Sequence, residues 1–157
     1  DLKGDEELLK KLVNLRVEVL SHNIETVEEL FPKVRPQGKY QRSLDVLSNM
    51  KKIRREQKTK SGLMVGLGEN EEHIRNTLRD LRACGCDFLT IGQYLQPTAQ
   101  HWAVQKYYDP AEFLAWKEEA LALGFTHVES GPLVRSSYRA DRLQNHLLLI
   151  EAQKAVA

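Results

Sequence analysis

The chain has 157 residues, enough for one domain with a real core, and its 41% hydrophobic and 29% charged content is ordinary for a globular protein. A formal net charge of +1 argues against a nucleic-acid surface, and no apolar run approaches the length of a membrane span. The two cysteines, Cys84 and Cys86 in "RACGCDF", are too closely spaced for a disulfide framework and do not complete a tetrahedral zinc site. Burial at a helix–strand junction suits both better.

Read in chain order, helical and strand-like patterns alternate. Residues 5–14 ("DEELLKKLVN") have apolar positions at helical spacing behind a first turn of acids. "VEVLS" reads as a strand and "HNIET" as a polar turn; residues 26–34 are expected to be helical, with a break at Pro36 and Gly38. Leu44, Val46, Leu47, Met50 and Ile53 predict a helix reaching about Gln57, where Lys51, Lys52, Arg54 and Arg55 make a solvated end.

"SGLMVGL" is nearly continuous in apolar residues, as expected of a parallel strand buried on both faces. Asn70, Glu71 and Glu72 open the next helix, with Ile74, Leu78 and Leu81 on one face. "DFLTIGQ" is a third strand, a long loop follows, and Pro110 starts a helix ending near Leu123. "THVES" predicts a fourth strand and the segment after Ala140 a closing helix.

Strands alternating with helices imply right-handed βαβ units on a parallel sheet. A doubly wound sheet is the default at this length. Polar residues, however, gather just after the strands: His22, Asn23 and Glu25; Gly66, Gly68 and Glu69; Gln93, Tyr94 and Gln96. That pattern puts a site at one mouth of a β/α barrel, of which this chain holds only part.

Taken singly, these residues have plain readings. Gly62 and Gly66 bring the backbone close to a flat ligand or simply make a turn. Glu69 accepts from a ligand hydroxyl or amine; Glu25 is either a ligand contact or a helix first-turn acid. Arg35 offers a planar fork to a carboxylate or lies idle on the surface. Ser136 and Ser137 in "GPLVRSSYRA" are paired hydroxyls between Arg135 and Arg139, or else a helix cap.

Taken together and in this order, "HNIETV", "VRP", "TKSGLMVGLGE", "DFLTIGQYLQPT" and "GPLVRSSYRA" resemble the lipoyl synthases, which are radical S-adenosylmethionine enzymes. The resemblance runs from the first residues to about Ala140. It implies an α/β fold, the C-terminal portion of a partial (β/α)6 TIM-like barrel, over residues 1–140; residues 141–157, beyond the recognisable part, are read from their pattern as a C-terminal helix. It also implies S-adenosylmethionine and two clusters of the 4Fe–4S type, one for cofactor cleavage and an auxiliary one consumed as sulfur donor.

The implied substrate is an octanoyl group on a lysine of a lipoyl-carrier domain. The implied partners are that carrier, the N-terminal half of the barrel and a reductant such as ferredoxin or flavodoxin, with no nucleic acid and no membrane. A cytoplasmic location follows, mitochondrial or plastid in a eukaryote. By the family pattern Asn23 and Glu25 face the ribose or amino-acid part of the cofactor, Arg35 its carboxylate, and Gly62, Met64, Gly66 and Glu69 pass near the adenine; Gln93 joins this set. A serine of "RSSY" ligates the auxiliary cluster, with Ser137 preferred and Ser136 the alternative. An oxygen ligand is harder than thiolate, as suits a cluster that gives up its sulfide.

The main departure is in the cysteines. The family needs a CxxxCxxC triplet and a second N-terminal triplet, whereas Cys84 and Cys86 fall where it has no ligand. By itself the chain is expected to assemble neither cluster, and beginning at Asp1 it reads as part of a longer protein. The competing reading is a catalytically incomplete half-barrel that binds a nucleotide, S-adenosylmethionine or a partner. A Rossmann-like transferase fits less well, because the Gly-rich turn after its first strand is missing.

Overall fold

A computed structural model describes residues 2–15 and 17–137. Asp5 caps the first helix, α1 (Glu6–Asn14), accepting from the Glu7 and Leu8 amides at 2.9 and 3.0 Å. Strand β1 (Val19–Ser21) follows. The expected helix over residues 26–34 is reduced to a 3-10 turn and the single-turn α2 (Phe31–Val34). Pro32 fits its first turn, and the chain leaves at Arg35 in a non-helical conformation.

Helix α3 (Tyr40–Ile53) starts earlier and stops earlier than its apolar spacing suggested. Strand β2 (Lys58–Val65) likewise begins three residues before the apolar run, because Thr59 and Lys60 are buried polar residues that a hydrophobicity pattern misses. Helix α4 (Glu71–Ala83) opens on Asn70, whose side chain accepts from the His73 amide at 2.8 Å. Strand β3 (Phe88–Gln93), helix α5 (Pro110–Ala122) and strand β4 (His127–Gly131) complete the order. The proposed boundary at 140 and the closing helix lie outside the described residues.

The four strands are parallel and lie in sequence order, β1-β2-β3-β4. That order decides between the two architectures. A doubly wound sheet reverses direction partway and places helices on both faces, whereas a barrel segment adds each strand on the same side. Here Leu63, Val65, Leu89, Ile91 and Val128 turn to one face and bury against Leu47, Ile74, Leu78, Phe113 and Trp116 of the helices. Alternation leaves Ser21, Lys60, Gly62, Met64, Thr90, Gly92 and Glu129 on the other. The fold is α/β, a four-strand segment of a β/α barrel with its inner face lined largely by polar or small residues.

A second, smaller core joins Leu9 and Val13 of α1 to Leu20, Val46 and Met50. At the N-terminal end of the sheet, Asp87 ties the layers together. It accepts from the Thr59 amide at 2.9 Å and pairs with Lys51 and Lys58 at 2.5 and 3.3 Å. The opposite, C-terminal end of the strands is left for the loops that build the site.

Candidate functional site

After Ser21 the chain follows β2 with one extra residue. Ser21 pairs with Lys60, yet the next bridge joins Glu25 to Leu63. The slack is taken up by the Ser61 hydroxyl, which accepts from the Ile24 amide at 3.0 Å in place of a backbone carbonyl. Pairing then resumes, with the Glu25 amide on the Gly62 carbonyl (2.9 Å) and the Met64 amide on the Glu25 carbonyl (2.8 Å). This is a bulge at a strand end, a device that re-aims side chains.

The bulge lays Asn23 over Gly62. A Cβ at Gly62 would stand 2.9 Å from Asn23 Oδ1 and 3.1 Å from Thr90 Oγ1, so the close approach needs glycine. It also forces Glu25 to φ 72°, a left-handed conformation that an L-residue with a long side chain holds only under constraint.

Next to this crossing is a cavity of about 310 Å³. Asn23, Glu25, Gly62, Met64 and Gln93 line it from the strand ends, together with Thr90, Gly92 and Tyr94; Val134, Arg135 and Ser136 form the remaining wall. A second cavity, about 490 Å³, shares Asn23, Glu25 and Ser136 and adds His22, Arg35 and Ser137. The Arg35 guanidinium reaches the Glu25 carboxylate at 3.2 Å. The structure thus brings Asn23, Glu25, Arg35, Gly62, Met64, Gln93, Ser136 and Ser137 around two adjoining cavities.

Gly66 and Glu69 are placed differently. The Glu69 carboxylate accepts from the Gly66 and Leu67 amides at 2.6 and 3.0 Å and is buried, closing its own loop. Gly66 has φ 103°, and a Cβ there would overlap the Gln93 amide and the Lys106 carbonyl. Gln93 in turn donates to the Tyr94 and Lys106 carbonyls at 3.1 and 3.0 Å and accepts from the Tyr108 amide at 3.1 Å. These three residues build the floor beneath the loop of residues 94–108; Glu69 and Gly66 do not line either cavity.

His22 has a buried Nε2 with no hydrogen-bond partner among the described residues. Burial, then nearby positive charge including Arg35, lowers its basicity to a pKa of about 4, so the ring is neutral at pH 7. A neutral ring with an orphan nitrogen beside Arg35 is suited to receive a ligand hydrogen bond.

The serine segment folds back onto the sheet. The Val134 amide closes a turn on the Gly131 carbonyl at 3.1 Å, with Pro132 in its first central position. Buried Val134 then lies over Gly92, and the Lys60 ammonium donates to the Ser136 carbonyl. Ser136 and Ser137 are exposed. Tyr138 and Arg139 lie outside the described residues. Lys60, Thr90, Gly92 and Val134 were not singled out from sequence, though Lys60 and Thr90 follow once Gly62 is fixed. They sit two residues before it and directly opposite it in register.

The thiols sit elsewhere. Cys86, fully buried, donates to the Phe88 carbonyl at 3.3 Å; Cys84 donates to the Leu81 carbonyl at 3.1 Å. Burial pushes the Cys84 thiol up to about 11 and Cys86 higher still. Both precede β3, at the end of the sheet away from the cavities. Among the described residues there is no cluster of three or more His, Cys, Asp or Glu that would hold a metal. The chain's own thiols therefore do not fit an iron–sulfur cluster, whereas the exposed serine hydroxyls at the mouth fit a single oxygen ligand to one.

A barrel segment whose polar contacts gather at the C-terminal ends of parallel strands is of the β/α-barrel class, and that mouth is the candidate site. The family model of the radical SAM superfamily matches residues 1–81, just over half the chain, and the chain belongs to that superfamily. Among curated proteins it is 56% identical to the lipoyl synthase of Rubrobacter xylanophilus, over 89% of this chain and 44% of that protein. It is 51% identical to the lipoyl synthase of Halalkalibacterium halodurans, over 100% of this chain and 52% of that one. With the lipoyl synthase of Caldicellulosiruptor saccharolyticus the identity is 53%, over 90% and 50%. The chain spans about half the length of the curated relatives it matches. The relationship read from the motifs is what these comparisons find.

Proposed function

We propose that this chain is the portion of a lipoyl synthase that holds S-adenosylmethionine against the barrel mouth and presents a serine to a sulfur-donating cluster. The observation that carries the reading is the junction of the two cavities, where Asn23, Glu25 and Arg35 meet the serine segment. Arg35 offers a guanidinium to a carboxylate, Glu25 accepts from hydroxyls or an ammonium, Asn23 accepts from or donates to hydroxyls, and Gly62, by admitting Asn23 at close approach, holds that amide at the cavity wall. Gln93 lines the pocket and, with Gly66 and Glu69 one layer beneath, fixes the loop of residues 94–108. Ser137, or Ser136, supplies the oxygen ligand.

When bound, S-adenosylmethionine and two 4Fe–4S clusters supply hydrogen abstraction from unactivated carbon and the sulfur atoms, chemistry that side chains do not provide. The substrate is an octanoyl chain on a carrier-domain lysine, and the cysteine ligands come from an N-terminal half. A small electron-transfer protein supplies the reducing equivalents. Among the described residues no helix is long and apolar enough to cross a membrane.

The test reassembles the barrel by co-expressing the chain with the N-terminal half of the Halalkalibacterium relative. 5′-Deoxyadenosine and lipoylated carrier peptide are then quantified side by side. Ser137→Ala should preserve 5′-deoxyadenosine while lipoyl product falls steeply; Glu25→Gln should lower both. Loss of product in Ser136→Ala alone would move the ligand back one residue. Full product from both serine variants would remove the serine from the mechanism.

A further inference from the structure

The serine segment is held by an unusual anchor. Lys60 lies near the start of β2, is 8% exposed, and faces the barrel interior rather than water. Lysine stems commonly run along a surface to keep the ammonium solvated. This one instead spends its charge on the main-chain carbonyl of Ser136, 76 residues further along the chain. Burial lowers its basicity and the Glu129 carboxylate, on the same face of the sheet, opposes that.

A second contact converges on the same segment. Gly92 stands on the inner face of β3, and any Cβ there would overlap the Val134 carbonyl oxygen. Glycine at that position lets the returning chain touch the sheet. Two adjacent strands thus grip one short segment, β3 by close approach at Val134 and β2 by a charged donor at Ser136. Neither contact uses a serine hydroxyl, so the side chains of Ser136 and Ser137 remain exposed at the mouth.

We propose that Lys60 is the positioning residue of the tandem serine. Through the Ser136 carbonyl it fixes the peptide plane between Ser136 and Ser137, and so sets which hydroxyl points toward the cavities and which toward solvent. This rests on the reading that a serine of the pair ligates the auxiliary cluster. It adds how one hydroxyl would be selected when both serines line the second cavity. Lys60 lines neither cavity and acts through the loop.

The experiment uses the reassembled, cluster-loaded protein and compares Lys60→Met, Lys60→Arg and Gly92→Ala with the parent. Hydrogen exchange of the peptide covering residues 131–137 reads the anchor directly, in loaded and unloaded protein. Mössbauer spectra of the auxiliary cluster read whether one iron keeps an oxygen ligand. Loss of a charged donor should speed exchange about tenfold or more in Lys60→Met. The oxygen-ligated iron signal should fall with it, while 5′-deoxyadenosine formation stays within about threefold of the parent. Lys60→Arg, which keeps a donor, should restore most of the signal. Gly92→Ala should likewise speed exchange of the segment from the neighbouring strand; because Gly92 also lines the first cavity, its 5′-deoxyadenosine yield is not part of the test.

Unchanged exchange and an unchanged iron signal in Lys60→Met overturn the proposal. So does a loss that Lys60→Arg does not rescue at all, since burial volume alone would then explain it. The underlying reading fails separately, if neither Ser136→Ala nor Ser137→Ala alters the iron signal while Lys60→Met still speeds exchange.

Discussion

Glu25 and Arg35 form an ion pair at 3.2 Å on the wall of the second cavity, and Glu25, which lines both cavities, makes it from a backbone held at φ 72°. The strain follows from the bulge after Ser21, which resumes pairing with β2 only if residue 25 turns left-handed. Strain of this kind costs on the order of 1–3 kcal/mol and survives where surrounding contacts enforce it. Glu25→Gly should therefore raise stability by about 1 kcal/mol in urea melts of the reassembled protein.

The same change should weaken S-adenosylmethionine binding, measured by calorimetry, about tenfold or more, as should Arg35→Met. A Glu25→Gly protein that is both less stable and binds normally would show that residue 25 is neither strained nor a ligand contact.

Much of this is legible in the sequence, and what is not has physical reasons. The parallel sheet followed from four strand-like runs separated by helices, although its strand order did not, and Asn70 marked the start of α4 because a cap leaves a local signature. The segment over residues 26–34 looked helical from its spacing, but Pro32, Pro36 and Gly38 confine helix to one turn. Lys60 and Thr59 were missed because this sheet buries polar groups on both faces, Lys60 toward the barrel interior and Thr59 against the Asp87 carboxylate, and a hydrophobic pattern equates burial with apolar character. Glu69 was legible as a conspicuous acid after a strand; that its carboxylate is taken by two amides of its own loop depends on φ angles no composition reveals.

Gly66 and Gly85 both have positive φ, yet their substitution should differ. At Gly66 a Cβ would overlap the Gln93 amide and the Lys106 carbonyl, displacing the floor of the loop. At Gly85 it would meet only the flexible Lys51 stem at 3.2 Å. Gly66→Ala should cost about 3 kcal/mol or more, Gly85→Ala about 1 kcal/mol, read from denaturant midpoints at constant m-value. Equal losses would mean that conformation alone, and not the packing of Gln93, decides the Gly66 site.

His22 gives the protein an acid-sensitive contact. Its folded pKa, about 4, lies below the ordinary value of 6.5, so the folded state resists the proton that the unfolded chain accepts. Its contribution is intact above pH 6.5, is lost as pH falls through the window from 6.5 to 4, and changes no further below that. His22→Gln should flatten the decline of the melting midpoint across that window and leave the slope above pH 7 unchanged. An identical decline in both proteins would assign it to carboxylates instead.

The thiols should be silent in the folded chain. Cys86 is sealed in the core with its S–H on the Phe88 carbonyl, and burial raises both thiols well above neutral pH, Cys84 to about 11. The thiolate is the reactive and metal-binding form, so neither residue offers it at pH 8. Iodoacetamide should label neither residue in native buffer and both in urea, with Cys84, which is only partly buried, the first to react as denaturant rises. The same argument bears on iron. Two protonated thiols at the closed end of the sheet do not replace the three or four thiolates a cluster requires. Anaerobic reconstitution of this chain alone should therefore give no stable four-iron absorption and less than about one iron per chain. A robust cluster signal that survives Cys84→Ala and Cys86→Ala would place its ligands among residues the present site does not include. One that vanishes in those variants would mean the sheet opens at β3 in solution, and the burial that protects Cys86 would be wrong.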